Sequence, residues 1–335
     1  LSLLSFIILF RKSNANRGDE MKYWIGPMSK NVVDAIIEFD GDFGFIPSRR
    51  QVDYNGGYVN DWSTGEFATY VDGRVAIERD HGGVGQGYKY DDGYESFMHD
   101  SKYFDIIHID PWKNFPSFED GLNETIDNLT FIYDSLMNMA THSIKFEIGT
   151  EESIRRFETN ELEKLLSILE KKLYPPIFES IEYVVVQSGV GLDLGKQTNT
   201  GTFNPERLEE MVNVCKKFGK KSKEHNGDYL SNKEYKDRFD LGLDSINIAP
   251  EFGQLETLCY LDEMGDNIED YYQICYDSKR WEKWVDDDFT PDDNKKELIK
   301  ICGHYVFSDK RFLEIKPNID NKIKSVITNK LSELV

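Results

Sequence analysis

Ile106-Ile107-His108-Ile109-Asp110 reads as a short strand, apolar until a histidine and a carboxylate arrive two positions apart. Side chains two apart on a strand share a face, so His108 and Asp110 leave this one together. The same pattern, an apolar run closing on polar groups, recurs along the chain. Candidate strands lie at residues 23–28, 43–47, 75–80, 106–110, 145–149, 183–187, 221–224 and 245–249. Between them, Val32, Val33, Ala35, Ile36 and Ile37 fall at helical spacing, as do Ile126, Leu129, Ile132, Tyr133, Leu136 and Met137. Leu162, Leu165, Leu166, Leu169 and Leu173 mark a third helix, and Asn204-Pro205 opens a fourth.

Eight strands alternating with helices predict an α/β fold, a (β/α)8 TIM barrel with a helical C-terminal extension. The expected boundaries are 1–20 for a tail, 21–275 for the barrel and 276–335 for the extension packed on it. In that fold the active site forms at the C-terminal ends of the strands. Those ends here read Ser48-Arg49-Arg50-Gln51, Arg79-Asp80-His81, His108 to Asp110, Glu147 to Glu151, Gln187-Ser188-Gly189, Glu224-His225-Asn226 and Asn247 to Glu251. Each alone is explained by a solvated loop; together they describe one polar rim.

The 335-residue chain carries 40 Lys+Arg against 61 Asp+Glu, a net charge of −21. That balance argues against a nucleic-acid partner or an anionic membrane, which require clustered cations, and obliges a phosphorylated substrate to find a local basic pocket. Hydrophobic residues at 39% and aromatics at 13% suffice for a core. Cys215, Cys259, Cys275 and Cys302 are scattered and expected to be reduced core residues. Leu1 to Phe10 is apolar but too short to span a bilayer as a helix, and Arg11 and Lys12 follow it, the reverse of a secretory signal. Residues 1–20 are expected to be a non-native or disordered tail before a native start at Met21, with a short membrane anchor as the alternative. The protein is expected to be cytoplasmic.

His81, His108 and His225 fall at strand ends, whereas His99, His142 and His304 do not and are expected to be structural or exposed. With Asp80, Asp110, Glu147 and Glu151 nearby, the three offer a His/carboxylate set suited to a divalent metal such as Zn²⁺; the competing reading is hydrogen bonding within a polar mouth. His81, His225, Asp110 and Glu151 are the expected ligands. Asp80, beside His81 on a strand end, is the expected proton shuttle next to a metal-polarised carbonyl, with Glu151 as a second catalytic acid. Gln51, His108, Gln187 and Ser188 are assigned to substrate. Arg49, Arg50 and Arg79 crowd two neighbouring strand ends and are expected to bind a phosphate or carboxylate. Gly56-Gly57, Gly82-Gly83-Val84-Gly85 and Ser188-Gly189-Val190-Gly191 offer backbone N–H groups to the same anion.

In order, Gln51-Val52 with Gly56-Gly57-Tyr58, Asp80-His81, Ile107-His108-Ile109-Asp110 and Ile148-Gly149-Thr150-Glu151 form a recognisable series. Val184-Val185-Val186-Gln187-Ser188-Gly189-Val190, Glu224-His225 with Asp228-Tyr229, and Ser308-Asp309-Lys310-Arg311 continue it. The series resembles the Z-type subunit family of D-tagatose-1,6-bisphosphate aldolase, a branch of the class II aldolase-like TIM barrels, over about residues 22–332. The resemblance implies a TIM barrel of carbohydrate metabolism with sugar-phosphate ligands. It matches Asp80 and His81 to the Asp-His pair that supplies the proton-transfer acid and a zinc ligand, and places His225 near a later zinc histidine. The expectation is therefore a metal-dependent, class II aldolase-type lyase cleaving a phosphorylated sugar of the tagatose-bisphosphate type, working as a homo-oligomer. Two alternatives stand beside it: a non-catalytic subunit that stabilises and activates a separate aldolase chain, and a sugar-phosphate isomerase or epimerase.

Overall fold

The computed structural model describes residues 21–39, 41–139 and 144–335, the side chains of 136–139 excepted. The N-terminal tail and His142 lie outside these residues. Among the described residues ten strands occur in chain order: β1 Tyr23–Ile25, β2 Phe43–Phe45, β3 Glu78–Gly82, β4 Ile106–Ile109, β5 Lys145–Ile148, β6 Ile181–Val186, β7 Leu192–Asp193, β8 Thr198–Asn199, β9 Lys221–Glu224 and β10 Ser245–Ile248. β7 and β8 form a small antiparallel hairpin in the loop after β6. The other eight pair in parallel in the order β2-β1-β10-β9-β6-β5-β4-β3. Bridges Phe45↔Ile77 and Ser48↔Asp80 join the two edges, so the sheet closes as a TIM barrel.

All eight expected barrel strands are present, and the third sits further along than its composition suggests. Val75 and Ala76 precede Glu78–Gly82, and the register of β3 against β4 shifts between Arg79 and Gly82. Such a bulge inserts a residue and re-aims the side chains around it. It lies at the Asp80-His81 pair, and His81 sits there at φ +45°.

The strands are buried on both faces, as a sheet wrapped in helices demands, and Ile25, Phe45, Ile107, Ile148, Val184 and Ile248 are sealed from solvent. Helix starts follow local chemistry. Ser63 and Ser231 build capping boxes with Glu66 and Glu234, and Asn204 caps the helix that Pro205 opens. The last helix, Asp320–Leu334, packs against the first, Lys30–Phe39, and against Pro250–Glu263. Preceding it, Gly303–Val306 crosses Pro250–Glu263 so closely that a Cβ on Gly253 would meet the His304 Cβ at 2.8 Å. All four cysteines are buried and unpaired. Among the described residues no helix is long and apolar enough to cross a membrane.

Candidate active site

His81 ends β3, His108 lies on β4 and His225 directly follows β9. Strand order keeps these positions apart in the sheet, but barrel closure turns all three rings inward, with centroids 4.9–5.4 Å apart. Each ring spends one nitrogen on an oxygen of the barrel. His81 Nδ1 donates to Asp110 Oδ2 at 2.5 Å, His108 Nε2 to the Gly149 carbonyl at 3.1 Å, and His225 Nε2 to Glu147 Oε1 at 2.9 Å. These acceptors fix the tautomers. The remaining nitrogens, His81 Nε2, His108 Nδ1 and His225 Nδ1, lie 3.5, 3.8 and 3.7 Å from one atom, Asp80 Oδ1. The His81 backbone N–H points at His108 Nδ1 from 3.3 Å, consistent with a lone pair on that nitrogen.

Gly149 makes one of these contacts possible. Its φ of +108° is a region that side chains rarely adopt, and it turns the carbonyl toward His108. Asp110 is fully buried and also accepts from Thr150 Oγ1 at 3.1 Å. Burial opposes its charge, but the His81 hydrogen bond, the charges of His81 and His108 and the Thr150 bond together hold the carboxyl below its usual range. Burial likewise opposes a charge on Asp80, yet His81, His108 and His225 bring it down to about 2. On His81, burial resists protonation while Asp80 and Asp110 raise the ring to about 10. The carboxylates around His81 thus favour a positive charge at this centre, carried by the ring's own second proton or by a cation that displaces it. Among the described residues three sets have metal-ligand spacing: Asp80, His81 and His225; His81, His108 and Asp110, which includes the expected ligand Asp110; and His108, Glu147 and His225.

Below the rings lies an interior layer that sequence reasoning left out of the metal and catalytic assignments. Lys223 Nζ contacts Glu78 Oε2 and sits 2.7 Å from Glu147 Oε2, all three fully buried, with the Trp24 and Tyr183 rings 4.6 and 4.5 Å away. Burial and the neighbouring Glu147 push Glu78 up; for Glu147, Lys223 and the histidines overcome burial and hold it down. Glu147 thus carries the charge that orients His225. The signal was present in Lys221-Ser222-Lys223-Glu224, charges on a strand with no solvent face.

The structure separates the other expected residues into two groups. His108, expected to touch substrate, belongs with His81 and His225. Asp110 backs His81 from behind, and Glu151 sits beside the cluster, accepting from Asn226 Nδ2 at 2.5 Å. Ser188 Oγ and Asn247 Oδ1 are buried at strand ends with no hydrogen-bond partner. Gln51 is occupied within its own turn, its Oε1 accepting from the Ser48 N–H at 2.7 Å. Gln187 ties down the loop after β5, donating to the Thr150 and Arg155 carbonyls at 2.8 Å and accepting from the Phe157 N–H at 2.8 Å.

Arg49 and Arg79 do not converge on the mouth. Arg49 is wrapped by Asp53, Asp91 and the Gly83 carbonyl, and Arg79 by Asp100 and the Pro47 and Val52 carbonyls. Both are buried, since a guanidinium in the wall of a barrel needs its donors filled. Arg50 remains at the rim, half-buried.

The closed barrel with polar groups gathered at one rim defines a TIM barrel. No family model and no curated protein sequence matches the chain. Among solved structures, it is similar to a probable tagatose 6 phosphate kinase from Sinorhizobium meliloti 1021, at TM-score 0.68 and 12% identity over 93% of this chain and 98% of that one. It is also similar to fructuronate-tagaturonate epimerase UxaE from Cohnella laeviribosi, at TM-score 0.58 and 10% identity over 94% and 81%. The YdjI aldolase from Escherichia coli K12 matches at TM-score 0.53 and 13% identity over 95% and 94%. At these identities the likeness is one of fold.

Proposed function

We propose that the protein is a metal-dependent lyase of the class II aldolase type, cleaving a phosphorylated ketose of the tagatose-bisphosphate kind. One observation carries the reading: three imidazole nitrogens, each oriented by a bond on the far side of its ring, converge within 3.5–3.8 Å of Asp80 Oδ1. His81, His108 and His225 would hold a divalent ion, Zn²⁺ by donor type. When bound, it polarises the carbonyl and stabilises the enediolate.

The chain's own groups account for the remaining chemistry. Retro-aldol cleavage needs a base for the hydroxyl on the carbon β to the carbonyl. As that proton leaves, the carbon–carbon bond breaks, and the enediolate then takes up a proton at carbon. Asp80, ionised beside the histidines, is the group to which we assign both transfers. Asp110, the Gly149 carbonyl and Glu147 hold the rings, and Glu151 lies at the edge as a second acid. The epimerase alternative uses the same enediolate, so cleavage products distinguish the two. A cytoplasmic homo-oligomer is part of the same proposal.

Metal analysis of the purified protein is expected to find one divalent ion per chain, lost in His108→Ala together with cleavage of tagatose 1,6-bisphosphate. Asp80→Asn is expected to keep the fold and suppress turnover by at least a hundredfold. A native protein that holds no stoichiometric ion and cleaves nothing, yet activates a separate aldolase chain, would establish the partner-subunit reading instead.

A further inference from the structure

In this acidic chain most described arginines are neutralised: Arg49, Arg79, Arg207, Arg238 and Arg311 all hold carboxylates. Arg50, Arg280, Lys283 and Lys113 make no ion pair among the described residues. They are also neighbours. Arg280 lies over the rings of Tyr88, Tyr305 and Tyr58 at 4.4, 5.4 and 5.7 Å, and Lys283 over Tyr305 at 5.8 Å. Arg50 and Tyr58 belong to one turn, the Tyr58 N–H donating to the Arg50 carbonyl at 3.0 Å. Ser308 Oγ donates to the Tyr58 carbonyl at 2.8 Å, which seats the C-terminal segment on that turn. Behind Tyr58 and Tyr305 lies His304, fully buried, with neither ring nitrogen hydrogen-bonded.

Lys283 is exposed as a residue, but desolvation by the surrounding chain, then Arg50, Arg280 and Lys113, push its amine down, while Glu151 works the other way. Glu151 also acts on His81, so one carboxylate is within electrostatic reach of both the cations and the histidines. Like charges gathered without partners repel one another, and a bound anion relieves that cost. We propose that Arg50, Arg280 and Lys283, with Lys113 at the rim, bind a phosphate group of the substrate above the histidine cluster. The inference rests on the lyase reading and adds to it the cations that take the charge, half of them from the C-terminal segment. Several unpaired cations match a dianion with three accepting oxygens better than a carboxylate, which one guanidinium fork satisfies.

The test is calorimetric titration of inorganic phosphate, and separately acetate, into the full chain and into Arg280→Ala and Lys283→Ala. Phosphate is expected to bind at least tenfold tighter than acetate, to lose at least tenfold in each variant, and to compete with tagatose 1,6-bisphosphate. The variants are expected to keep their circular dichroism and divalent-metal content, and Arg280→Lys to recover part of the affinity. Undiminished phosphate binding in both alanine variants, equal acetate binding, or phosphate binding without competition would overturn the assignment. If ketose cleavage survives in Arg280→Ala with unchanged KM, this site fails while the lyase reading stands. If phosphate binds as expected but no metal or cleavage is found, the site stands and the lyase reading falls.

Discussion

Asp110 shows how a carboxylate can act on a site through the ring it orients. Its position two after His108 is plain in the sequence, and strand alternation put both on one face, which suggested a ligand. In the structure its carboxylate takes the His81 Nδ1 proton at 2.5 Å and leaves Nε2 for the centre. Asp110→Asn is expected to weaken divalent-metal affinity by about 10–100-fold with little loss of stability, the usual effect of removing an orienting partner. Chelator competition measures it, and unaltered affinity would show that Asp110 does not orient His81. Arg79 gives the opposite lesson. Its place at a strand end suggested an anion site, but its partners Asp100, Pro47 and Val52 come from distant positions that no local pattern announces. Arg79→Ala is expected to cost about 3–5 kcal/mol, because Asp100 is left charged and buried. Denaturant unfolding reads that loss, and phosphate affinity measured on the folded fraction should stay unchanged.

At the scale of elements, strand identity was legible and strand irregularity was not. Apolar runs mark β4 and β6 and alternation marks β5 and β10, but the bulge in β3 arises from pairing with β4 and leaves no compositional trace. A regular strand would send Asp80 and His81 to opposite faces. The register shift and the positive φ of His81 bring both to the centre, 3.5 Å apart, so the argument that a regular strand separates them does not hold here. Loops are set the same way, from a distance. Gln187 on the end of β6 uses both amide protons and its oxygen to hold residues 150–157, the loop that carries Glu151. Gln187→Leu strands buried donors and acceptors, each costing about 1–3 kcal/mol. The expected result is a clear drop in stability and faster hydrogen exchange confined first to residues 150–157. Uniform exchange across the barrel would show that the glutamine does not act on that loop alone.

For the whole molecule, eight strand–helix units were enough to read a closed barrel, since few architectures accommodate that alternation. How the last unit meets the first was not readable, because the contact joins residues more than two hundred positions apart. Glu256, on Pro250–Glu263, accepts from Asn31 Nδ2 at 2.9 Å and pairs with Ser29 Oγ at the start of Lys30–Phe39. Asn31 also reaches Asp320 Oδ1 at 3.4 Å, so Lys30–Phe39, Pro250–Glu263 and the last helix meet there. Burial pushes Glu256 up to about 7 against the opposing hydrogen bonds of Ser29 and Asn31. A carboxyl raised in the folded state binds its proton more tightly there than in the unfolded chain. Its contribution is therefore fully present below the unfolded value near 4.5, and is lost as pH rises through about 7. At about 1.4 kcal/mol per unit, the swing is on the order of 3 kcal/mol. Glu256→Gln keeps the shape and cannot titrate. Urea unfolding of both proteins at pH 5 and pH 8 is expected to show the variant gaining on the wild type by roughly that amount between the two conditions. Other acids titrate in both chains and cancel in the difference. An equal gap at both pH values would mean that Glu256 stays ionised, and that the seam between the first and last units is held by charge rather than by a shared proton.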